Sequence, residues 1–133
     1  MYMPYCPLSV TCDLSKKQIT DLSAQLHDAL VEIAKKPPTS IMINVITNCH
    51  LFLNKESDAA FFEVNAVGMQ DKDIIEKCGI RFLEIISGIT GITYNRIFVR
   101  FDISEPDNWV LRGHALSYWK QKWVSEGKHG FSD

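Results

Sequence analysis

The sequence lacks a long apolar segment and an excess of charge of one sign. No apolar run reaches the roughly 18 residues that a membrane span needs, and the start lacks the charged, then apolar layout of a secretion signal. The 14 basic residues nearly balance the 16 acidic ones, so the net charge is -2. We therefore expect a soluble protein whose partners include neither nucleic acid nor an anionic membrane.

Metal-ligand patterns are missing as well. The four cysteines form no CxxC pair or zinc-ligand spacing, and the four histidines share no ligand spacing. They are Cys6, Cys12, Cys49 and Cys78, and His27, His50, His114 and His129. We expect no metal and no cofactor, with the cysteines as buried or free thiols. Such thiols favour a cytoplasmic location. The even number of cysteines also allows disulfides, and secretion without a signal peptide is the alternative to a cytoplasmic location.

The sequence does have enough apolar material for one core. It has 133 residues, of which 46% are hydrophobic, so roughly two-thirds of the unfolded surface should be buried. Residues 13–36 are predicted to be a helix, started by a capping box of Ser15 and Gln18 and ended by Pro37 and Pro38. Its apolar stripe consists of Ile19, Leu22, Leu26, Leu30 and Ile33.

Strand and helix patterns alternate along the rest of this unit. Residues 40–47, 59–68 and 96–102 are predicted to be strands, and residues 71–88 a second helix that stops at Gly88. The stripe of that helix consists of Ile74, Cys78, Phe82, Ile85 and Ile86. The halves form a weak internal duplication of two strand-helix-strand units, each joining parallel strands.

The last of these strands predicts an apolar sheet face. Side chains alternate along a strand, so Ile97, Val99 and Phe101 should meet the helices. Phe98 then points away from them, and Phe61 and Val67 join it. This face is too apolar for open water, and a symmetric oligomer would cover it.

Residues 114–133 form an aromatic extension, in which the spacing of Leu116, Trp119 and Trp123 predicts a helix. The extension could pack on its own subunit, on a neighbour or over the mouth of a pocket. Ordinary packing is the favoured interpretation because aromatic residues often fill cores and contacts.

Five features follow one another along the chain: Pro4, "KKPPTSIMINV", "FFEVNAVG", "NRIFVRF" and Trp109. In the order and spacing of these features, the sequence resembles the family of macrophage migration inhibitory factor (MIF) and D-dopachrome tautomerase. For residues 1–113, the resemblance implies an α+β tautomerase fold, with two β-α-β units forming a four-stranded sheet and two helices on one face. It also implies a homotrimer and keto-enol tautomerisation of phenylpyruvate-like or dopachrome-like carboxylated ketones.

The resemblance also assigns roles to residues. Pro4 would be the catalytic base, Lys36 would bind the substrate carboxylate, and Arg100 would supply a second positive charge. The backbone N–H of Val67 would face the ligand. The walls of the pocket would be lined by Tyr5, Asn65, Phe98 and Trp109. Phe98 stands where many MIF proteins have tyrosine, so a pocket hydroxyl is missing.

Other interpretations of Lys36, Arg100 and Pro4 remain open. Lys36 could be a solvated lysine at a helix end, Arg100 could form an ion pair between subunits, and Pro4 could simply begin a strand. Pro4 has a free amine if translation starts at Met3 and that methionine is removed, but it is acylated if Met1 stays. The alternative function is therefore a non-catalytic, cytokine-like or protein-binding trimer with a blocked or vestigial pocket. A structural role with a vestigial pocket is a third possibility.

Overall fold

The computed structural model describes residues 2–68, 71–128 and 130–131, so the expectations about Met1 and His129 lie outside the described residues. Its strands are β1 (Tyr2–Val10), β2 (Met42–Ile46), β3 (Ala60–Val67), β4 (Ile97–Ser104), β5 (Val110–Leu111) and β6 (His114–Ala115). Its α-helices are α1 (Lys16–Ala34), α2 (Lys72–Thr90) and α3 (Leu116–Glu126).

The four long strands form one mixed sheet in the order β2-β1-β3-β4. β1 is parallel to β2, β3 is parallel to β4, and the two pairs meet where β1 and β3 run antiparallel. Helices α1 and α2 pack against each other and against the sheet. Between them lie Leu22, Leu26 and Leu30 of α1 and Phe82 of α2, whose ring meets that of Phe62 edge-on at 4.9 Å. The two predicted strand-helix-strand units are confirmed.

The start of α1 and the end of α2 can be compared with the helix boundaries predicted from the sequence. Ser15 and Gln18 form the predicted capping box at the start of α1. The predicted stop of the second helix at Gly88 is wrong, because α2 continues to Thr90. A glycine inside a helix lowers the stability of the helix by only about 1 kcal/mol relative to alanine, so α2 can continue past Gly88. The helix ends at Gly91, whose φ of 78° is a left-handed conformation that glycine adopts readily.

One face of the sheet is open in the single chain. Phe98 is 55% exposed and Met42 is 63% exposed, while Ile97 is buried on the helix side, as predicted. Val67 differs from Phe98 because it is only 2% exposed. No helix of the described residues is long and apolar enough to cross a membrane.

Val67 is covered by the C-terminal cluster, a set of apolar side chains from the end of the chain. Leu116 and Trp123 of α3 are buried against Val67, and further members pack around these three. Those further members are Trp109, Leu111, Trp119 and Phe131. The extension thus packs on its own subunit.

At the far end of the sheet, Arg96 organises the loop that leads into β3. Its guanidinium donates hydrogen bonds to four backbone carbonyls. They belong to Leu53, Lys55, Ser57 and Asp58, at 2.7 to 3.3 Å. The Arg96 side chain therefore fixes the backbone of a loop that is not held by a regular ladder of strand hydrogen bonds.

Candidate active site at one end of the sheet

Pro4 lies in an irregular part of β1. Tyr5 pairs with Asn65 of β3 and Tyr2 pairs with Val67, so two residues of β1, Met3 and Pro4, oppose one residue of β3. Such a bulge leaves one residue unpaired, and it suits proline, which has no amide hydrogen to donate. Pro4 is buried, on the same side of the strand as the core residues that follow at every second position.

Lys36 reaches this end of the sheet from the end of α1. The left-handed conformation of Lys35, with a φ of 56°, turns the chain after the helix. Lys36 is 1% exposed, and its Nζ donates a hydrogen bond to the carbonyl oxygen of Val67 at 3.2 Å. The lysine is therefore a buried group that is tied to the end of β3, and it is not the solvated helix-end lysine that its sequence position also allowed.

The charge of Lys36 has no acidic partner among the described residues. Burial lowers its pKa from 10.5 to about 8, although the neighbouring Cys6 and Cys78 oppose this shift. Burial in turn raises the pKa of Cys6 to about 12 and that of Cys78 to about 11. Both thiols therefore stay neutral at physiological pH and cannot compensate the ammonium group.

All four cysteines are free thiols, as the sequence suggested. Within the described part of the chain, no group of three or more histidine, cysteine, aspartate or glutamate side chains could hold a metal ion. The chemistry available at this end of the sheet is therefore that of an amine, a carbonyl oxygen and protonated thiols.

Trp109 is fixed beside Val67 by a relay of polar contacts. Its indole Nε1 donates to Ser104 Oγ at 2.6 Å, and Ser104 Oγ donates to the carbonyl oxygen of Ala66 at 3.4 Å. Ser104 is also the register partner of Val67. Ser104 was not predicted from the sequence, because no spacing rule links a serine at the end of a strand to a later tryptophan.

Tyr5 and Asn65 lie on the opposite face of the sheet from the core. Asn65 Nδ2 donates to the backbone oxygen of Tyr5 at 3.1 Å, and Asn44 Nδ2 donates to Tyr5 Oη at 3.1 Å. Hydrogen bonds from two asparagine side chains therefore hold Tyr5 on this face.

Phe98 and Arg100 are further from the buried end. Phe98 pairs with Phe61 near the start of β3, whereas Val67 is its last residue. The Arg100 guanidinium lies 3.5 Å from the carboxylate of Asp102, and both side chains are more than half exposed. One chain thus brings together Pro4, Lys36, Val67 and Trp109 but leaves Phe98 and Arg100 on the open face.

No family model and no curated protein matches this sequence. Solved structures do match it. MIF2 of Leishmania major is 21% identical, with a TM-score of 0.77 over 86% of this chain and 97% of that one. The MIF-like protein of Entamoeba histolytica is 19% identical, with a TM-score of 0.78 over 86% and 99% of the two chains.

This chain has the tautomerase fold. Another structure that shares it is Pt0534 inactivated by 2-oxo-3-pentynoate, which is 18% identical, with a TM-score of 0.79 over 86% of this chain and 98% of that one. The expected tautomerase fold, with a four-stranded sheet and two helices packed on it, is thereby confirmed. The matches cover nearly the whole length of these proteins, so this chain contains the complete tautomerase fold together with additional residues.

Proposed function

We propose that this protein is a keto-enol tautomerase that acts on phenylpyruvate-like or dopachrome-like carboxylated ketones, with Pro4 as its base. The observation behind the proposal is that Pro4, Lys36 and the end of β3 lie together at one end of a tautomerase fold. The free thiols favour a cytoplasmic location.

The proposed reaction moves a proton from the carbon beside a carbonyl to the carbonyl oxygen. A free α-amine has a pKa of about 8, and both burial and the nearby charge of Lys36 would lower the pKa of a free Pro4 amine further. That amine would be neutral at physiological pH and able to accept the proton from carbon. Its conjugate acid would then return the proton to the enolate oxygen.

Lys36 would hold the carboxylate of the substrate. A lysine ammonium has three N–H donors, and among the described residues one of them is used, on the carbonyl oxygen of Val67. The remaining two are free to bind a carboxylate, which would also supply the negative charge that the buried ammonium lacks. The backbone N–H of Val67 and the side chain of Trp109 would orient the rest of the ligand.

We further propose that the working molecule is a homotrimer with residues 1–113 as its tautomerase domain and residues 114–133 as an aromatic extension. The exposed face that includes Phe98 supports this assembly, because three such faces could cover one another. Phe98 and Arg100, with Tyr5 and Asn65 on the same face, would then complete the pocket of a neighbouring subunit.

The proposal is tested with two preparations, one that retains Met1 and one whose mature N-terminus is Pro4, each verified by intact mass. We expect enol formation from hydroxyphenylpyruvate only in the second preparation, and its loss in a Pro4→Gly variant of that form. A Pro7→Ala variant is the matched control, since Pro7 lies in the same strand. Equal turnover by both preparations would reject Pro4 as the base.

A protein-binding, non-catalytic trimer is the second candidate. It is favoured by the extension, which covers the end of the sheet at Val67 and presents an exposed apolar side chain at Val124. In this case a chain with a free Pro4 would show no turnover. Deletion of the residues after Gly113 would abolish binding to a receptor protein, and retained binding would count against this role.

A further inference from the structure

Lys36 differs from the other lysines of the described chain in its surroundings. Lys35, its neighbour in sequence, is exposed, and Lys17 forms an exposed ion pair with Asp21 at 2.7 Å. Lys36 is 1% exposed, and its hydrogen-bond partner is a neutral carbonyl oxygen. A buried charge without a counter-charge is costly, and the cost disappears when the amine gives up its proton.

We propose that Lys36 is a second reactive amine, which forms an imine with the carbonyl carbon of a small aldehyde or keto acid that enters the site. Buried lysines are suited to this chemistry because desolvation favours the neutral, nucleophilic form. The inference concerns the same site as the proposed tautomerase, but it does not require a free amine at Pro4.

The reaction is a condensation that needs no oxidant or reductant. The lone pair of Nζ attacks the carbonyl carbon, a C–N bond forms, and the carbonyl oxygen takes up a proton. The hydroxyl group of the resulting carbinolamine takes a proton from solvent and leaves as water, while the nitrogen lone pair forms the C=N bond. A protonated imine keeps one N–H, which can still donate to the carbonyl oxygen of Val67, the present partner of Nζ. The existing contact therefore suits both the free amine and the adduct.

The buried position makes this amine more available than an ordinary lysine. Burial lowers the pKa of Lys36 from 10.5 to about 8, so at neutral pH its neutral fraction is about 300-fold larger than that of a lysine with the ordinary pKa. The adjacent Cys6 and Cys78 do not compete as thiolates, since burial raises the pKa of both. The nucleophile at this point is therefore the amine.

The residues on either side of Lys36 in the fold are linked to the C-terminal cluster. Val67, which accepts the Lys36 hydrogen bond, belongs to that cluster. Phe131 accepts a hydrogen bond from Thr39, three residues after Lys36, at 3.4 Å. We expect a carbonyl compound to reach Nζ past these residues, so loosening the Thr39 contact should raise the rate of imine formation.

The test is reductive trapping with glyoxylate and cyanoborohydride on the full chain, followed by peptide mapping with fragment-ion sequencing. We expect Lys36 to be labelled at least tenfold more than Lys35. Lys36→Arg, which keeps the charge but cannot form this imine, should remove the label, whereas the matched Lys35→Arg should keep it. Thr39→Val should increase labelling of Lys36 severalfold and leave Lys35 unchanged.

Equal labelling of Lys35 and Lys36, or labelling confined to the N-terminal amine, would overturn the inference. If Lys36→Arg fails to fold, the ratio of the two adjacent lysines in the wild-type chain still decides. Tautomerase turnover measured on the same samples separates the two proposals. Label on Lys36 without turnover supports the imine alone, and turnover without label supports Pro4 alone.

Discussion

Thr39 Oγ1 donates a hydrogen bond to the carbonyl oxygen of Phe131, 92 positions later in the sequence, at 3.4 Å. Thr39 belongs to the short segment that follows Lys36, and Phe131 belongs to the C-terminal cluster. The contact therefore links the end of the chain to the site that contains the buried lysine.

The ring of Phe131 should contribute measurably to stability. It lies 4.8 Å from the ring of Trp119 and 5.0 Å from that of Trp123, and the Arg112 guanidinium stacks on it at 3.7 Å. Because the ring is half-buried, Phe131→Ala should lower the free energy of unfolding by about 1–3 kcal/mol. Urea unfolding followed by tryptophan emission measures the change.

The control for this prediction is Phe52→Ala. Phe52 is 72% exposed, so its removal should change the free energy of unfolding by less than about 0.5 kcal/mol. Equal effects of the two substitutions would show that the extension does not depend on Phe131.

Arg96 should contribute far more to the free energy of unfolding than Arg81 does. Its four hydrogen bonds to loop carbonyls cannot be reproduced by a lysine ammonium. Arg96→Lys should lower the free energy of unfolding by about 1–3 kcal/mol. Arg81→Lys is the matched control, because Arg81 has only an exposed, 3.9 Å contact with Glu32, worth less than about 1 kcal/mol. Thermal unfolding of both variants gives the comparison, and similar losses would contradict it.

The stability of the protein should depend on the titration of Lys36 above neutral pH. Its folded pKa of about 8 lies below the unfolded value of 10.5, so between these values the unfolded chain binds more protons and stability rises with pH. The gain is at most about 3 kcal/mol. Cys6 and Cys78 act in the opposite direction above about pH 9, because their folded pKa values are raised.

A variant isolates the lysine contribution from that of the thiols. The free energy of unfolding of Lys36→Met, minus that of the wild type, should fall by about 2–3 kcal/mol between pH 7.5 and pH 10.5. Denaturant unfolding at several pH values measures this difference. A difference that stays constant with pH would mean that Lys36 is not desolvated in the folded protein.

The open sheet face should be required for assembly. Phe98 is 55% exposed on the face proposed to form the contact, and a charge placed there would become buried and unpaired in a trimer. Phe98→Glu should therefore shift the protein to monomers in sedimentation velocity. Ile80→Glu is the control, because Ile80 is 52% exposed on α2, on the other side of the molecule. A trimer that survives Phe98→Glu would exclude this face as the interface.

Much of the fold could be predicted from local patterns in the sequence. The capping box at Ser15, the helical stripes and the alternation around Phe98 depend on residues that are close in sequence, and each was confirmed. The predicted stop at Gly88 failed because a glycine permits a helix to end without requiring it, and Gly91 offered the better end three residues later.

The environment of the candidate site could not be predicted in this way. Lys36 is buried, donates a hydrogen bond to Val67 and interacts electrostatically with Cys78, and these residues are far apart in the sequence. Similarly, the position of Val67 in its strand predicted exposure, and only the packing of Leu116 and Trp123 reverses it. Alternation identifies the face of a strand but not what later covers that face.

The bulge at Met3 and Pro4 has a consequence for maturation of the protein. The bulge takes up the extra residue before Tyr5, so the register from Tyr5 to Val10 is independent of what precedes Pro4. Proteolytic shortening up to Pro4 would sacrifice one strand pairing, that of Tyr2 with Val67, and leave the core intact. Such cleavage would therefore release the Pro4 nitrogen from its peptide bond in a molecule that is already folded.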